Sequence, residues 1–304
     1  MTMPNFLIIG AAKSGTTALY AYLKQHPEIY MSPVKEPRFF AFEGEPQNYN
    51  GPKNEGERFN RETIFDLTTY LSLFENAKDE KAIGEASPAY LSRSEKASKR
   101  IRHYIPDVKL IVILRQPAER AYSAFLHTVR QGTETNLNFE TALALENKRI
   151  KHNWESIWHH KSLGFYYRQL APYYEKFDKQ QIKIYLFDDL EKNASALVKD
   201  IFTFLEVDNS FNPDISERIN ASGIPRSRWV YDFFGPSDNL LRDALKFFVP
   251  DKFRKPLVKK IKSENLIRPQ ISKELRWKLT AEYRDDILKL QDLIDRDLSP
   301  WLME

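Results

Sequence analysis

The 304-residue chain contains no cysteine, which excludes disulfide bonds and cysteine-ligated metal sites. It also lacks an apolar run of about 18 residues, so no membrane-spanning helix is predicted. The first residues, MTMPNFLIIG, have neither the basic segment nor the long apolar segment of a secretory signal. From these absences we expect a cytoplasmic protein.

A large charge imbalance is absent too. Lysine and arginine number 46, aspartate and glutamate 42, and the net charge is +4. So small an excess gives no reason to expect a nucleic-acid partner, and it suits a small anionic ligand. No internal repeat or linker divides the chain. We therefore predict one domain over residues 1–304, with a C-terminal helical extension over about 231–304.

Three apolar runs predict buried strands at residues 5–10, 108–114 and 181–187. A segment with apolar residues at helical spacing follows each run, and a long amphipathic helix is predicted over residues 275–294. Residues 43–62 are rich in glycine, proline and asparagine and are expected to form a mobile surface loop. Strands that alternate with helices predict an α/β fold with a central parallel sheet flanked by helices.

The loop between the first strand and its helix has the composition of an anion site. Helix N-termini carry free N–H groups and a positive dipole end, and glycine lets the backbone approach a ligand. The further donors would come from lysine, serine and threonine side chains. The residues concerned are Gly10, Lys13, Ser14, Gly15, Thr16 and Thr17. A plain glycine turn with a capping hydroxyl is the alternative interpretation of the same residues.

Arg115 ends the second predicted strand, at the edge where α/β proteins bind ligands. Ser123 follows two helical turns later, so the pair could bind a second anion. A nucleotide-dependent kinase would instead need G-x-x-x-x-G-K-[ST] and a strand ending in aspartate. Lys13 stands two residues before Gly15, and no lysine follows that glycine, which argues against the kinase alternative.

The remaining polar candidates have structural explanations. Arg120 shares a helix stripe with Ser123 and His127, and we expect it to lie on a solvated face. The pair His159 and His160 has no third ligand nearby in the sequence, so it too is expected to be solvated. No metal site is predicted.

The anion loop and the arginine–serine segment resemble the sulfotransferase family that uses 3′-phosphoadenosine 5′-phosphosulfate (PAPS), especially its bacterial and heparan-sulfate-type members. The two segments read FLIIGAAKSGTTALYAYLKQHPEI and LIVILRQPAERAYSAFLH. Further matches in family order are KEPRFF, SPAYL, GFYYRQLAPYYEKF and ASGIPRSRW. The resemblance implies a P-loop-NTPase-like fold, metal-independent transfer, PAPS as the donor and adenosine 3′,5′-bisphosphate (PAP) as the product.

The resemblance also assigns roles to residues. It implies that the 5′-phosphosulfate is held by Lys13, Ser14, Gly15, Thr16 and Thr17. It implies that Arg115 and Ser123 hold the 3′-phosphate. The late loop that closes over the 3′-phosphate end corresponds to Ser222, Gly223, Arg226 and Ser227.

Lys13 can reach the sulfate or the bridging oxygen and stabilise the charge that develops there. The general base is either Glu36, which matches the catalytic glutamate of heparan-type members, or His127, whose ordinary pKa suits neutral pH. Glu36 has a structural alternative, a surface glutamate paired with Lys35 or Arg38.

The acceptor is expected to be a hydroxyl or an amine, first on a carbohydrate, then on a lipid, a polyketide or a small molecule. Glu85 stands where glycosaminoglycan members tend to carry lysine, and it is expected to repel a polyanionic glycan. Residues 246–262 mix phenylalanine with lysine and could contact an anionic membrane or acceptor, or simply form a solvated basic face. A non-catalytic nucleotide-binding protein is the remaining alternative, and the oligomeric state stays open.

Overall fold

The computed structural model describes residues 2–216, 223–226, 266–267 and 269–303. The predicted late-loop residues Ser222 and Ser227 lie outside this part of the chain, as does the basic segment 246–262. The C-terminal extension is therefore described only from residue 266 onward, apart from residue 268.

Five parallel strands form the central sheet, in the order β2-β3-β1-β4-β5. The strands are β1 (Phe6–Gly10), β2 (Ile29–Met31), β3 (Ala82–Ala86), β4 (Lys109–Leu114) and β5 (Ile182–Leu186). The three predicted strands are confirmed to within one residue at each end, and β2 and β3 are additional. Two short strands, β6 (Ile224–Pro225) and β7 (Leu266–Ile267), form a separate antiparallel pair.

Helices cover both faces of the sheet, as predicted. The α-helices of the described chain are α1 (Thr16–Leu23), α2 (Phe39–Phe42), α3 (Glu55–Glu62), α4 (Leu67–Ser72), α5 (Ala89–Ser92), α6 (Ser94–Tyr104), α7 (Pro117–Gln131), α8 (Phe139–Ala144), α9 (Glu146–Lys151), α10 (Tyr166–Tyr174), α11 (Phe187–Leu205), α12 (Lys273–Ile294) and α13 (Ser299–Leu302). Short 3₁₀ turns occupy Pro52–Asn54, Ser156–Trp158, Ser162–Gly164 and Lys179–Gln181. None of these helices has the length and apolar character that crossing a membrane requires.

Alternate residues of β1 supply the two halves of the core. Leu7 and Ile9 pack into the cluster on one face of the sheet, and Phe6 and Ile8 pack into the cluster on the other. All four side chains are fully buried. This is the two-residue period of a strand that is covered on both faces, and it explains why the run is continuously apolar.

Helix α7 begins where the sequence predicts, because its first turn is well specified. Pro117 occupies the first helical position, and the Gln116 side chain accepts a hydrogen bond from the Glu119 amide. The other end of the Gln116 side chain donates to the Thr280 hydroxyl at 2.8 Å. The start of α7 is thereby tied to α12, which packs against it.

The expectation of a mobile loop at residues 43–62 is wrong. The segment contains a 3₁₀ turn and helix α3, and Phe59 on α3 is buried between the rings of Phe42 and Tyr49, at centroid distances of 5.0 and 5.1 Å. Gly56 is there for close packing, because a β-carbon would lie 2.4 Å from the Tyr49 carbonyl oxygen. The glycine thus marks a tight contact.

Candidate active site

The carboxyl ends of β3, β1 and β4 bring the predicted loops together. The Ala11 amide donates to the Ile113 carbonyl at 2.8 Å, which joins the loop after β1 to the end of β4. The Glu36 amide donates to the Ala86 carbonyl at 3.1 Å, which joins the segment after β2 to the end of β3. Neighbouring parallel strands thus place their loops at one edge of the sheet.

A cavity of about 1020 Å³ opens at this edge. Most of the residues singled out in the sequence line it. They are Lys13, Gly15, Thr16, Thr17, Glu36, Arg115, Ser123 and His127. The cavity has the size of a site for a nucleotide-sized ligand.

Four predicted residues, among them Gly10, do not line the cavity. Ser14 is fully buried, and its amide donates to the Ala11 carbonyl at 3.2 Å. Gly223 is buried next to β6, and Arg226 is exposed after it. The donors that the loop presents to the cavity therefore come from Lys13, Thr16 and Thr17 and from the backbone.

The first turn of α1 is open to a ligand. The residue before the helix, Gly15, is its N-cap and has φ of 106°, and no side chain caps the turn. A β-carbon at Gly15 would lie 2.9 Å from Leu190 on α11, so glycine is required for conformation and for packing. The N–H groups and the positive dipole end of α1 are what an anion needs.

Lys13 lies in the loop just before this turn, and its ammonium group loses its proton more readily than that of an exposed lysine. Burial and the nearby charge of Arg130 lower the pKa of its ammonium group to about 8, against the opposing effect of Glu36. An anionic ligand would restore the charged form, because it would replace the missing solvation.

Arg115 is held in place by aromatic and acidic neighbours. Its guanidinium lies 4.7 Å from the centre of the Phe187 ring and 3.6 Å from a Glu119 carboxylate oxygen. Its side chain is 21% exposed, and its carbonyl accepts a hydrogen bond from the Tyr166 hydroxyl at 2.9 Å. The fixed planar fork suits a phosphate group.

Glu36 pairs with both candidate partners. Its carboxylate lies 2.5 Å from the Lys35 ammonium and 3.5 Å from the Arg38 guanidinium. Burial alone would raise the pKa of Glu36, but the two cations hold that pKa below its usual value. The glutamate therefore faces the cavity as an ionised carboxylate near neutral pH, while also making the ion pairs of the structural alternative.

His127 has a different environment. Its Nδ1 lies 3.1 Å from a terminal nitrogen of Arg130. Burial, together with the charges of Lys13, Arg130 and Arg58, lowers the pKa of the imidazole to about 3. The ring is neutral at physiological pH.

Part of the cavity lining was missed by the sequence analysis. It consists of charged residues from the segment before α2, from α3 and from the turn after α9. They are Arg38, Glu55, Arg58, Glu62 and Glu155. Glu55 and Arg58 form an ion pair across one helical turn, and this spacing is the one sequence signal that could have pointed to them. Burial raises the pKa of the Glu155 carboxyl.

Arg120 and His160 are buried, so the expectation that they are solvated is wrong. Arg120 is 1% exposed and donates to the His160 carbonyl. His160 is fully buried and faces Glu134, which pairs with Arg149 at 2.8 Å. The 3₁₀ turns around His160 pack on α7 and cover this helix face, which a helical pattern alone cannot reveal. His159 is half-buried.

Glu85 cannot repel a glycan in the way expected. It is fully buried in β3 and does not line the cavity. The hydroxyls of Tyr90 and Tyr70 donate to its carboxyl oxygen at 2.5 and 3.4 Å. Burial raises the pKa of Glu85 to about 7, so the carboxyl belongs to the core.

Within the ranges that the structure covers, no group of three or more His, Asp or Glu side chains is placed to hold a metal ion. The cations of the site are lysine and arginine side chains.

Comparison with known proteins agrees with this geometry. The family model for the sulfotransferase domain matches residues 3–221. Human carbohydrate sulfotransferase 15 is 26% identical over 251 residues, covering 67% of this chain and 44% of that protein. Mouse bifunctional heparan sulfate N-deacetylase/N-sulfotransferase 4 is 25% identical over 310 residues, covering 99% of this chain and 31% of that protein. The chain thus spans less than half the length of these curated relatives.

The crystal structure of a sulfotransferase from Alicyclobacillus acidocaldarius is 33% identical, covers 100% of both chains and superimposes with a TM-score of 0.77. The sulfotransferase domain from the curacin biosynthetic pathway, at 14% identity and a TM-score of 0.51, shares the fold over 93% of this chain. These likenesses confirm the predicted P-loop-NTPase-like α/β fold. With a family match over more than two thirds of its residues, the chain belongs to the sulfotransferase family of transferase enzymes.

Proposed function

We propose that this protein transfers the sulfuryl group of PAPS to an acceptor hydroxyl or amine. One observation carries the proposal: two anion-binding groups on neighbouring strand ends, the α1 turn with Lys13 and the Arg115–Ser123 pair, line the same cavity. A nucleotide with charged groups at both its 5′ and its 3′ positions fits that pairing. When bound, PAPS supplies the sulfuryl group and leaves as PAP.

The residues of the loop after β1 and of the first turn of α1 act on the 5′ side of the nucleotide. The amides of the α1 turn, Thr16 and Thr17 hold the phosphosulfate, and Lys13 stabilises charge on the leaving phosphate. Arg115 and Ser123 hold the 3′-phosphate. The uncapped first turn and the guanidinium held over the Phe187 ring support these roles, because both are oriented before an anion binds.

Glu36 is the general base in this proposal. Its ionised carboxylate lines the cavity with Lys13 and can accept the proton of the acceptor hydroxyl. His127 is the weaker candidate, because the nitrogen that could accept a proton already faces an arginine.

The acceptor is most compatible with an uncharged carbohydrate hydroxyl. The lining that comes from residues 36–62 and from the turn at residue 155 carries four carboxyls, on Glu36, Glu55, Glu62 and Glu155. Its two cations, Arg38 and Arg58, are already paired with carboxylates. A polyanionic glycan would meet excess negative charge there, whereas sugar hydroxyls can donate to these oxygens.

Nucleotide binding tests the first half of the proposal. Calorimetry on the wild type should give much tighter binding of PAP than of AMP or ATP. Arg115→Ala should weaken PAP binding by about 1.5–3 kcal/mol, the usual loss of a charge-assisted hydrogen bond, while AMP binding stays nearly unchanged. Equal wild-type affinities for PAP and AMP would remove the basis for a 3′-phosphate site.

A transfer assay tests the second half. The protein is incubated with sulfur-labelled PAPS and either a neutral oligosaccharide, an amino sugar or desulfated heparan, in excess EDTA, and the products are identified by mass spectrometry. We expect label on the neutral oligosaccharide despite the EDTA. Sulfuryl transfer that stops in EDTA and recovers with Mg²⁺ would contradict metal-independent transfer, and transfer to the polyanion alone would contradict the acceptor class.

A further inference from the structure

His127 and Arg130 lie almost one helical turn apart on α7, with Arg130 Nη2 at 3.1 Å from His127 Nδ1. Residues three apart on a helix are neighbours on its surface, so this contact is built into the helix itself. His127 also lines the cavity, together with Lys13 and Glu36.

The contact determines where the imidazole proton lies. An arginine side chain has five N–H donors and no acceptor. A hydrogen bond from Arg130 therefore requires an unprotonated Nδ1 with a free lone pair on His127. A neutral imidazole carries one proton, so that proton is on Nε2.

The surroundings keep the ring neutral. The groups that influence its titration come from three elements: Lys13 from the loop after β1, Arg58 from α3, and Arg130 from α7 itself. All three are cations, and each disfavours a second proton, as burial also does. The imidazole can thus neither become a cation nor offer Nε2 as a proton acceptor.

We propose that Arg130 is a positioning residue that fixes His127 as the Nε2–H tautomer, and that His127 donates a hydrogen bond to an anionic oxygen of the sulfuryl donor beside Lys13. The catalytic half of this inference rests on the proposed function. A neutral imidazole is an effective donor to developing negative charge, because the half-buried ring is already oriented by its contact with Arg130. The role is opposite to that of a base.

The tautomer can be observed without any turnover. Protein labelled with ¹⁵N in its histidines gives ring-nitrogen chemical shifts that distinguish a protonated from an unprotonated nitrogen. The chain has six histidines, and His127→Gln identifies the signal of interest. We expect Nε2 protonated and Nδ1 unprotonated in the wild type and in Arg130→Lys, and a mixture of tautomers in Arg130→Met. A wild-type ring with its proton on Nδ1 would overturn the inference.

Kinetics separate a donor from a base. His127→Gln keeps an N–H donor close to the position of Nε2 but cannot act as a base, and His127→Ala removes both functions. We expect His127→Gln to stay within about 10-fold of wild-type kcat and His127→Ala to lose about 10²-fold, the effect of removing one such donor. Arg130→Lys should stay close to wild type, and Arg130→Met should fall below it. His103→Gln, on the exposed side of α6, is the matched control.

Two kinetic results would overturn the donor role: His127→Gln as inactive as His127→Ala, or His127→Ala as active as wild type. Melting temperatures of all variants show whether a loss reflects misfolding. If the wild type transfers no sulfuryl group at all, the proposed function fails, while the ¹⁵N shifts still decide the tautomer.

Discussion

Lys13 is a residue whose charge depends on its surroundings, since its pKa of about 8 lies within the range of ordinary assays. Because this pKa is lowered, the ammonium form is present below about pH 8 and is lost as the pH rises through that value. We therefore expect kcat/KM for PAPS, which reports on the free enzyme, to fall above about pH 8. In Lys13→Arg the fall should disappear, because arginine stays charged beyond about pH 12.

Measuring kcat/KM between about pH 6 and pH 10 checks this prediction. The observable is the position of the alkaline limb, since an arginine need not reproduce the full rate of a lysine. An alkaline limb that is unchanged in Lys13→Arg would assign it to another group.

Glu36 is the second residue whose protonation matters. Replacement by glutamine keeps its shape and leaves an oxygen for Lys35 or Arg38, but it removes the proposed base. Turnover should fall by about 10²–10⁴-fold, the usual contribution of general-base catalysis, with PAP affinity nearly unchanged. Single-turnover assays and calorimetry on Glu36→Gln measure the two quantities. If Glu36→Gln keeps near-normal turnover, the role of Glu36 is limited to its ion pairs with Lys35 and Arg38.

At the scale of elements, the sequence predicts those strands and helices whose own residues specify them. β1, β4 and β5 are apolar runs, and α7 has a proline at its first position and one apolar face. β3 reads AIGEA, with glycine and glutamate in a five-residue strand, so its propensity is poor. It is a strand because it pairs with β1 on one side and β2 on the other. A local sequence pattern does not reveal such pairing between strands that are distant in the sequence.

The tie between α7 and α12 gives a prediction at this scale. Gln116 is 5% exposed, and Thr280 supplies its closest hydrogen-bond acceptor. Thr280→Val keeps the shape but removes the hydroxyl. We expect a loss of about 1 kcal/mol in the free energy of unfolding, the usual contribution of one hydrogen bond, because the Gln116 amide keeps its second acceptor, the Trp301 carbonyl at 3.3 Å. Weaker PAP binding should accompany it, because Arg115 precedes Gln116.

Thr280→Ser is the matched control, since it retains the hydroxyl and loses only a methyl group. Urea unfolding and PAP calorimetry on both variants compare the two effects. If Thr280→Val unfolds with the same free energy as the wild type, the hydrogen bond contributes nothing to stability.

Over the whole molecule, the anion-loop part of the site could be predicted, and the part lined by charged residues of α3 and of the turn after α9 could not. Lys13 and Arg115 follow strongly apolar strands that pair side by side, so a sequence pattern carries their proximity. Glu55 and Glu155 are one hundred positions apart and belong to segments without such a pattern. The charge balance of this part of the cavity therefore emerges only when the chain is folded.

The free energy of unfolding of the whole chain should depend on pH through the Glu85 carboxyl. Because its pKa is raised from 4.5 to about 7, the folded state holds this proton more tightly than the unfolded state does. Stability from this group is thus present below about pH 4.5 and is lost as the pH rises toward 7, by roughly 3 kcal/mol at most, since one pKa unit corresponds to about 1.4 kcal/mol.

Glu85→Gln removes the titration while retaining an oxygen that can accept from Tyr90. We expect the difference in unfolding free energy, variant minus wild type, to increase by about 1–3 kcal/mol between pH 5 and pH 8. Urea denaturation at the two pH values measures it, and Glu95→Gln, on the exposed start of α6, is the matched control that should show no such increase. Because every other group titrates alike in variant and wild type, the difference isolates Glu85. A difference that stays constant with pH would mean that the Glu85 carboxyl has the same pKa in the folded and unfolded chains, and that the two tyrosine hydroxyls fully compensate its burial.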